Sequence, residues 1–254
     1  MALAVGLPAL AAAWVAASVL RAARRTDLPS LPNQDASGCF GDPTLPPLRI
    51  VGIGDSSLTG PGLASVDDIV LRRLALSYSD RHRVELISLA VGGSKAFDVV
   101  EGQLDRAVEL APDVAFVSVG SNDAMRGVPV WLYRRRLDLI LTRLGAAAGA
   151  TVVFGLGDLG VLPRLPRSLR RLLHRRSRVF DNAAGGVTAR HPRVIKVYTG
   201  GRVTTAFTGG DPAMFAADLF HASEEGHRVF TEEAAPAFAT AYRLAMLRRS
   251  APRS

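Results

Sequence analysis

The sequence holds one cysteine, Cys39, so neither an intramolecular disulfide nor a cysteine-based zinc site can form, and a lone cysteine does not fix the compartment. Lysine is almost missing: of 31 basic residues only Lys95 and Lys196 are not Arg. The net charge of +8 is thus arginine charge in a chain also rich in Ala. That pattern reflects a GC-rich coding sequence as readily as phosphate binding. Aromatic residues make up 6% and do not interleave with the basic clusters, which excludes a stacking platform for single strands. No nucleic-acid partner is expected. His and carboxylates nowhere share metal-ligand spacing, so no metal or other cofactor is expected. No internal repeat is found.

What is present is the composition of a folded protein, with 48% apolar and 21% charged residues over 254 positions, enough for a sizeable core. Ala2 to Leu20 is an uncharged apolar run followed by Arg21, Arg24 and Arg25. It is close to the shortest length that spans a bilayer. A secretory signal would carry its charges ahead of the run, and here they follow it. Residues 1–25 therefore read as a membrane anchor, with the C-terminal bulk placed on the cytoplasmic face by the positive-inside rule. An export signal or a peripheral helix is the alternative. Residues 26–47 are rich in Pro, Asp, Gly and Ser and read as a tether. The folded domain is expected over 48–254.

Within that domain, apolar strands alternate with helical patterns. Strands are expected at 48–54, 83–91, 113–119, 151–156 and 194–198, and helices at 67–79, 95–110, 130–144, 167–190 and 224–247. The fourth of these helices is expected to break near Asn182 and the last to kink at Pro236. The alternation predicts an α/β fold in which a parallel sheet carries helices on both faces. Ligands in such sheets bind beyond the carboxyl ends of the strands. Three strand ends there are polar and contain Gly: Gly54-Asp55-Ser56, Gly92-Gly93-Ser94 and Gly120-Ser121-Asn122-Asp123.

A serine nucleophile needs a base, and its tetrahedral intermediate needs hydrogen-bond donors. Ser56 is the candidate nucleophile, and Ser57 is a competing hydroxyl. The backbone N–H groups of Ser56 and Gly93 and the side-chain amide of Asn122 are candidate oxyanion donors. Ordinary turns and helix capping would use the same residue types. Of the five histidines, His82, His174 and His191 have no matched acid close by in sequence, and His227 falls inside the last helix. His221 differs, because Asp218 lies three residues before it and can orient the imidazole and stabilise its protonated form.

Gly54-Asp55-Ser56-Ser57 resembles the first block of the SGNH (GDSL-type) hydrolases. Ser88-Leu89-Ala90-Val91-Gly92-Gly93 resembles the second, Gly120-Ser121-Asn122-Asp123 the third and Asp218-Leu219-Phe220-His221 the last. The blocks occur in the family's order across about residues 48–247. The resemblance implies a three-layer α/β/α sandwich with a flavodoxin-like parallel five-stranded sheet. It implies Ser56 as nucleophile, Asp218 and His221 as orienter and base, and Ser56, Gly93 and Asn122 as the oxyanion hole. One position departs: many members begin the second block with Asn where this chain has Ser88, which puts the bracing of that loop in question.

The expected activity is a metal-free hydrolysis of small acyl esters or thioesters through an acyl-enzyme. An acyltransferase on the same triad is the alternative, moving a medium-chain acyl group such as octanoyl from an acyl-CoA to a sugar or glucosylglycerate-type acceptor. A non-catalytic, membrane-tethered binding module is a second alternative. Arg164 to Arg178 is dense in Arg. It reads either as a solvated helix face or as a surface for lipid headgroups or CoA phosphates.

Overall fold

The computed structural model describes residues 27–250 together with Trp14 and Ala17. The apolar run at the N-terminus, apart from those two residues, lies outside the described residues. Among the described residues no helix is long and apolar enough to cross a membrane.

Six strands form one sheet: β1 (Gly38–Phe40), β2 (Pro47–Gly54), β3 (Arg83–Ser88), β4 (Val114–Ser118), β5 (Ala150–Phe154) and β6 (Val194–Val197), in the order β1-β3-β2-β4-β5-β6. β2 to β6 are parallel, and β1 is antiparallel to β3, with Cys39 opposite Glu85. The five expected strands are all found. The sixth, β1, lies in the stretch read as a tether. That stretch is low in apolar residues, so its pairing is invisible to periodicity and comes from backbone bonds to an open sheet edge.

Strand residues alternate between two apolar layers, as a period of two demands. Val51 and Ile53 of β2 face one core with Ala115 and Val117 of β4, whereas Leu48 and Ile50 face the other with Val114 and Phe116. The first layer is covered by α2 (Ala96–Gly102), α3 (Leu104–Glu109), α5 (Val130–Ala147) and α6 (Arg167–Thr188), where α4 is the short Ser121–Met125. The second is covered by α1 (Val70–Leu76) and α8 (Glu224–Ser250), with α7 (Arg202–Phe207) beside α8. Tyr133, Phe116, Phe180 and Phe238 are fully buried, each worth roughly 2–3 kcal/mol of transfer free energy.

Two helices run on where breaks were expected. α6 is continuous through Asn182, which is exposed while Phe180, Ala184 and Val187 pack inward. α8 is continuous through Pro236. One helix is split instead: the expected 95–110 helix is α2 and α3, parted at Gln103.

Strand order reverses around β2: the chain moves from β2 to β3 on one side, then crosses to β4 on the other. In a doubly wound sheet the crevice for ligands opens at that switch, beyond the carboxyl ends of the two strands flanking it. Here those ends are Gly54 and Ser118, which are register partners.

Candidate active site

Gly54 closes β2 with φ of +147°, and a Cβ there would lie 2.0 Å from the backbone oxygen of Ser118. Only glycine lets the two strand ends meet this closely. Gln103 supports the same point: its Oε1 accepts from Gly54 N–H at 2.7 Å, and its Nε2 donates to Gly54 O at 3.0 Å and to Ser94 Oγ at 3.2 Å. Gln103 is buried, and this role explains the break between α2 and α3. Nothing in the sequence marked it, since a polar residue in a helical stretch ordinarily faces solvent. Gly54 O also accepts from Val91 N–H at 3.1 Å, so Gln103→Ala leaves the buried Gly54 N–H unpaired and is expected to cost about 2 kcal/mol of stability. Urea denaturation of the variant checks this, with an unchanged midpoint as the contrary result.

After Gly54 the chain enters a single 3₁₀ turn, Ser56–Leu58, capped by Asp55. Asp55 Oδ1 accepts from Ser57 N–H at 3.1 Å and from Ser57 Oγ at 2.9 Å. The two serines are thereby told apart. The Ser57 hydroxyl is spent on the cap, while the Ser56 hydroxyl forms no hydrogen bond among the described residues. Burial pushes the Asp55 carboxyl up to about 6, against the bonds from Ser57, which favour the charged form. Its raised value means that stability falls as pH climbs from about 4 to about 6, as the unfolded chain gives up this proton first.

Gly93 has φ of +82° and sits on the turn after β3. Neither its N–H nor that of Ser56 has an intramolecular acceptor among the described residues. The Asn122 amide donates to Ser94 O at 3.2 Å and, at a long 3.4 Å, to Asp55 Oδ2. The Ser88 hydroxyl is buried with no partner among the described residues. This loop is braced instead by Ser94 Oγ on Val91 O at 2.7 Å and by Gln103. The stretch read as a tether adds to the bracing: Ser37 Oγ accepts from Ser88 N–H at 3.0 Å, and Asn33 Oδ1 accepts from Thr59 Oγ1 at 2.6 Å.

The Asp-x-x-His turn is formed by an uncommon backbone. Leu219 adopts φ of +57°, a left-handed conformation that costs about 1–2 kcal/mol for a residue with a side chain. The turn lets Asp218 Oδ1 accept from the N–H of Phe220 and of His221, both at 3.0 Å, while Oδ2 lies 2.7 Å from His221 Nδ1. Burial opposes the charge on Asp218, yet the bonds from His221 outweigh it and hold the carboxyl below its ordinary value. His221 Nδ1 is therefore the protonated nitrogen, leaving Nε2 as the basic one.

The other histidines are engaged differently, although His227 also lines the first of the two cavities described below. His82 Nδ1 donates to Pro46 O at 3.1 Å, and Nε2 accepts from Tyr242 Oη at 2.8 Å. His191 lies 3.0 Å from Asp138 and His174 2.6 Å from Asp158. Neither acid is near its histidine in sequence, so these pairs exist only in three dimensions. His227 is buried and accepts from Val70 N–H at 3.2 Å, and burial lowers its pKa to about 3. It is neutral at any physiological pH.

Two cavities meet at Ser56, Asn122 and His221. The first, about 130 Å³, is walled largely by apolar side chains, among them Phe154, Leu159, Leu162, Phe207 and Phe215. The second, about 300 Å³, is lined by Gly92, Gly93, Asn33, Arg126 and Arg164. The structure thus brings Ser56, Gly93, Asn122 and His221 onto one cavity, with Asp218 behind the imidazole. The Arg-rich stretch divides. Arg176 donates to Ala124 O at 2.7 Å and to Val128 O at 2.9 Å, whereas Arg171 and Arg175 are exposed. Among the described residues no three His, Cys, Asp or Glu cluster to hold a metal ion.

The family described as GDSL-like Lipase/Acylhydrolase matches residues 53–229. A GDSL-like esterase from Mycobacterium tuberculosis is 31% identical over 187 residues, covering 69% of this chain and 57% of that protein. The chain thus spans less than two thirds of that relative's length. Among solved structures, LAE5, an alpha/beta hydrolase enzyme from the metagenome of Lake Arreo, superposes with a TM-score of 0.63 at 19% identity, over 78% of this chain and 97% of that one. The lipase/acylhydrolase from Enterococcus faecalis superposes with a TM-score of 0.59 at 20% identity, over 77% and 96%. At such identities the likeness is one of fold.

Proposed function

The chain belongs to the GDSL-like lipase/acylhydrolase family, and from that premise we propose that it is a serine esterase with Ser56 as nucleophile, His221 as base and Asp218 as its orienter. The carrying observation is the uncommitted hydroxyl of Ser56 on the same cavity as an imidazole whose other nitrogen is held 2.7 Å from Asp218.

In this reading His221 Nε2 takes the Ser56 proton as Oγ attacks the acyl carbon. The developing oxyanion receives the N–H groups of Ser56 and Gly93 and the amide of Asn122. The imidazolium, stabilised by Asp218, then passes its proton to the leaving alkoxide, and an acyl-Ser56 ester remains. Water resolves it by the same steps in reverse roles. The apolar cavity suits the acyl chain, and the second cavity suits the alcohol. Contact between Ser56 and His221 forms when substrate fills the site, as catalytic hydrogen bonds tighten in the Michaelis complex.

The test is hydrolysis of p-nitrophenyl esters of graded chain length together with labelling by a fluorophosphonate probe. Turnover with a labelled Ser56 is expected; neither turnover nor labelling would sink the esterase reading. Asn122→Ala is expected to lower kcat by about 10²–10³ with KM little changed, and an undiminished kcat in a folded variant removes Asn122 from the oxyanion hole. The second reading is acyl transfer, favoured by a second cavity large enough to seat an accepting alcohol beside Ser56. Acyl consumption that depends on an added sugar acceptor would select it.

A further inference from the structure

We propose that the second cavity binds an anionic group on the alcohol half of the ester, so that the preferred substrates are acyl esters of carboxylate- or phosphate-bearing alcohols. The proposal rests on the esterase reading and adds a substrate class to it.

The two cavities differ sharply in charge. The apolar one is lined by Asp55 and Asp158 and by no Lys or Arg. The second is lined by Arg126 and Arg164 and by no Asp or Glu. Arg164 is largely withdrawn from solvent, with 12% of its side chain exposed, and lies 3.8 Å from the Asp218 carboxylate. That carboxylate also engages His221 at 2.7 Å. Arg126 has no carboxylate partner among the described residues. Its Nη2 lies 3.3 Å from where a Cβ on Gly93 would stand, which puts the guanidinium directly over a proposed oxyanion donor.

Arg126 is also held in place. Its N–H donates to Asn122 O at 2.9 Å, so it moves with the helix that carries Asn122. Arg176 fixes the chain on both sides of it, through Ala124 O and Val128 O. An exposed Arg on a braced loop, with no carboxylate partner among the described residues and a largely buried second Arg across the cavity, is an arrangement that favours a planar or tetrahedral anion. Beside Gly93 the one atom within 4 Å of an added Cβ is Arg126 Nη2, which leaves room for such a group close to the backbone, whereas Asn33 fills the space beside Gly92.

The full chain is assayed with esters that share one short acyl group and differ in the alcohol: a neutral diol, glycolate and glycerol phosphate. The readout is the ratio of kcat/KM for each anionic ester to that for the neutral one. The ratio is expected to exceed ten, to drop at least tenfold in Arg126→Gln, to be largely restored in Arg126→Lys, and to fall with added salt as the charge is screened. Comparison of the glycolate and glycerol phosphate arms tells which anion fits. A ratio near one, or one that Arg126→Gln leaves unchanged, overturns the proposal. Equal loss on both ester types does so as well, because it would assign Arg126 to the oxyanion and not to selectivity. Calorimetry of glycolate and of glycerol phosphate on Ser56→Ala protein asks the same question without turnover. Absence of binding there refutes the anion site even where neutral esters are hydrolysed, and binding there supports it even where no ester is.

Discussion

Ser56→Ala protein is expected to take up no fluorophosphonate label and to lose about 10⁴–10⁶ in kcat on any ester that the native chain hydrolyses. The size follows from the mechanism, since without Oγ no acyl-enzyme can form and only binding and the oxyanion donors remain. Stability should move by less than about 0.5 kcal/mol, because the hydroxyl removed makes no hydrogen bond among the described residues and sits at a half-buried position. The neighbouring Ser57 cannot take over. Its hydroxyl donates to Asp55 at 2.9 Å, and freeing it would strip a buried carboxylate of one of its few partners. Intact-protein mass spectrometry after probe treatment reads the outcome. Label persisting at any other residue would refute Ser56 as the nucleophile.

Asp218→Asn is expected to lower kcat by about 10⁴, more than removal of an oxyanion donor. Asparagine keeps an acceptor for the N–H groups of Phe220 and His221, so the turn should survive. What changes is the contact to His221 Nδ1. An amide N–H₂ there forces the imidazole to place its proton on Nε2, the nitrogen that must accept from Ser56. The same substitution has a stability signature with a definite sign. The Asp218 carboxyl is held below its ordinary value near 3.8, so in the native chain it contributes stability that is present above about pH 4 and lost as pH falls through the lower folded value. The variant should therefore show a shallower acid transition below pH 4, seen by circular dichroism. Full activity in Asp218→Asn would leave His221 without need of an orienter and would dissolve the triad.

How legible all this was in the sequence depends on the kind of signal. The strands β2 to β6 were legible because a sheet buried on both faces demands continuous apolar runs, and these run lengths are too short for helices. The Gly-Asp-Ser turn, the Gly-Gly turn and the Asn-Asp turn were legible because each combines a strand end with residues that suit tight backbone or donate hydrogen bonds. Asp218 and His221 were legible because three residues is a distance one turn can close, though the left-handed Leu219 that closes it carries no marker, leucine being a poor choice for that conformation.

Other features had no local cause to read. β1 lies in a polar stretch and exists through pairing with β3. Gln103 breaks a helix to reach Gly54, a contact 49 residues away. His174 and His191 find their acids across the fold, and Arg126 becomes part of a cavity because Arg176, on a different helix, fixes its loop.

The sequence by itself determined the layered α/β class and the residues that could do acyl chemistry, since periodicity and short-range spacing are properties of the chain. The tertiary structure decided which serine hydroxyl is free, which histidine shares both cavities with it, and how charge is divided between them. Those depend on hydrogen bonds and proximities between residues tens to more than a hundred positions apart, which no local pattern encodes. The Gly54-Asp55-Ser56-Ser57 turn shows both at once: its residues mark a strand end, but only the Asp55 cap distinguishes the free hydroxyl of Ser56 from the bonded one of Ser57.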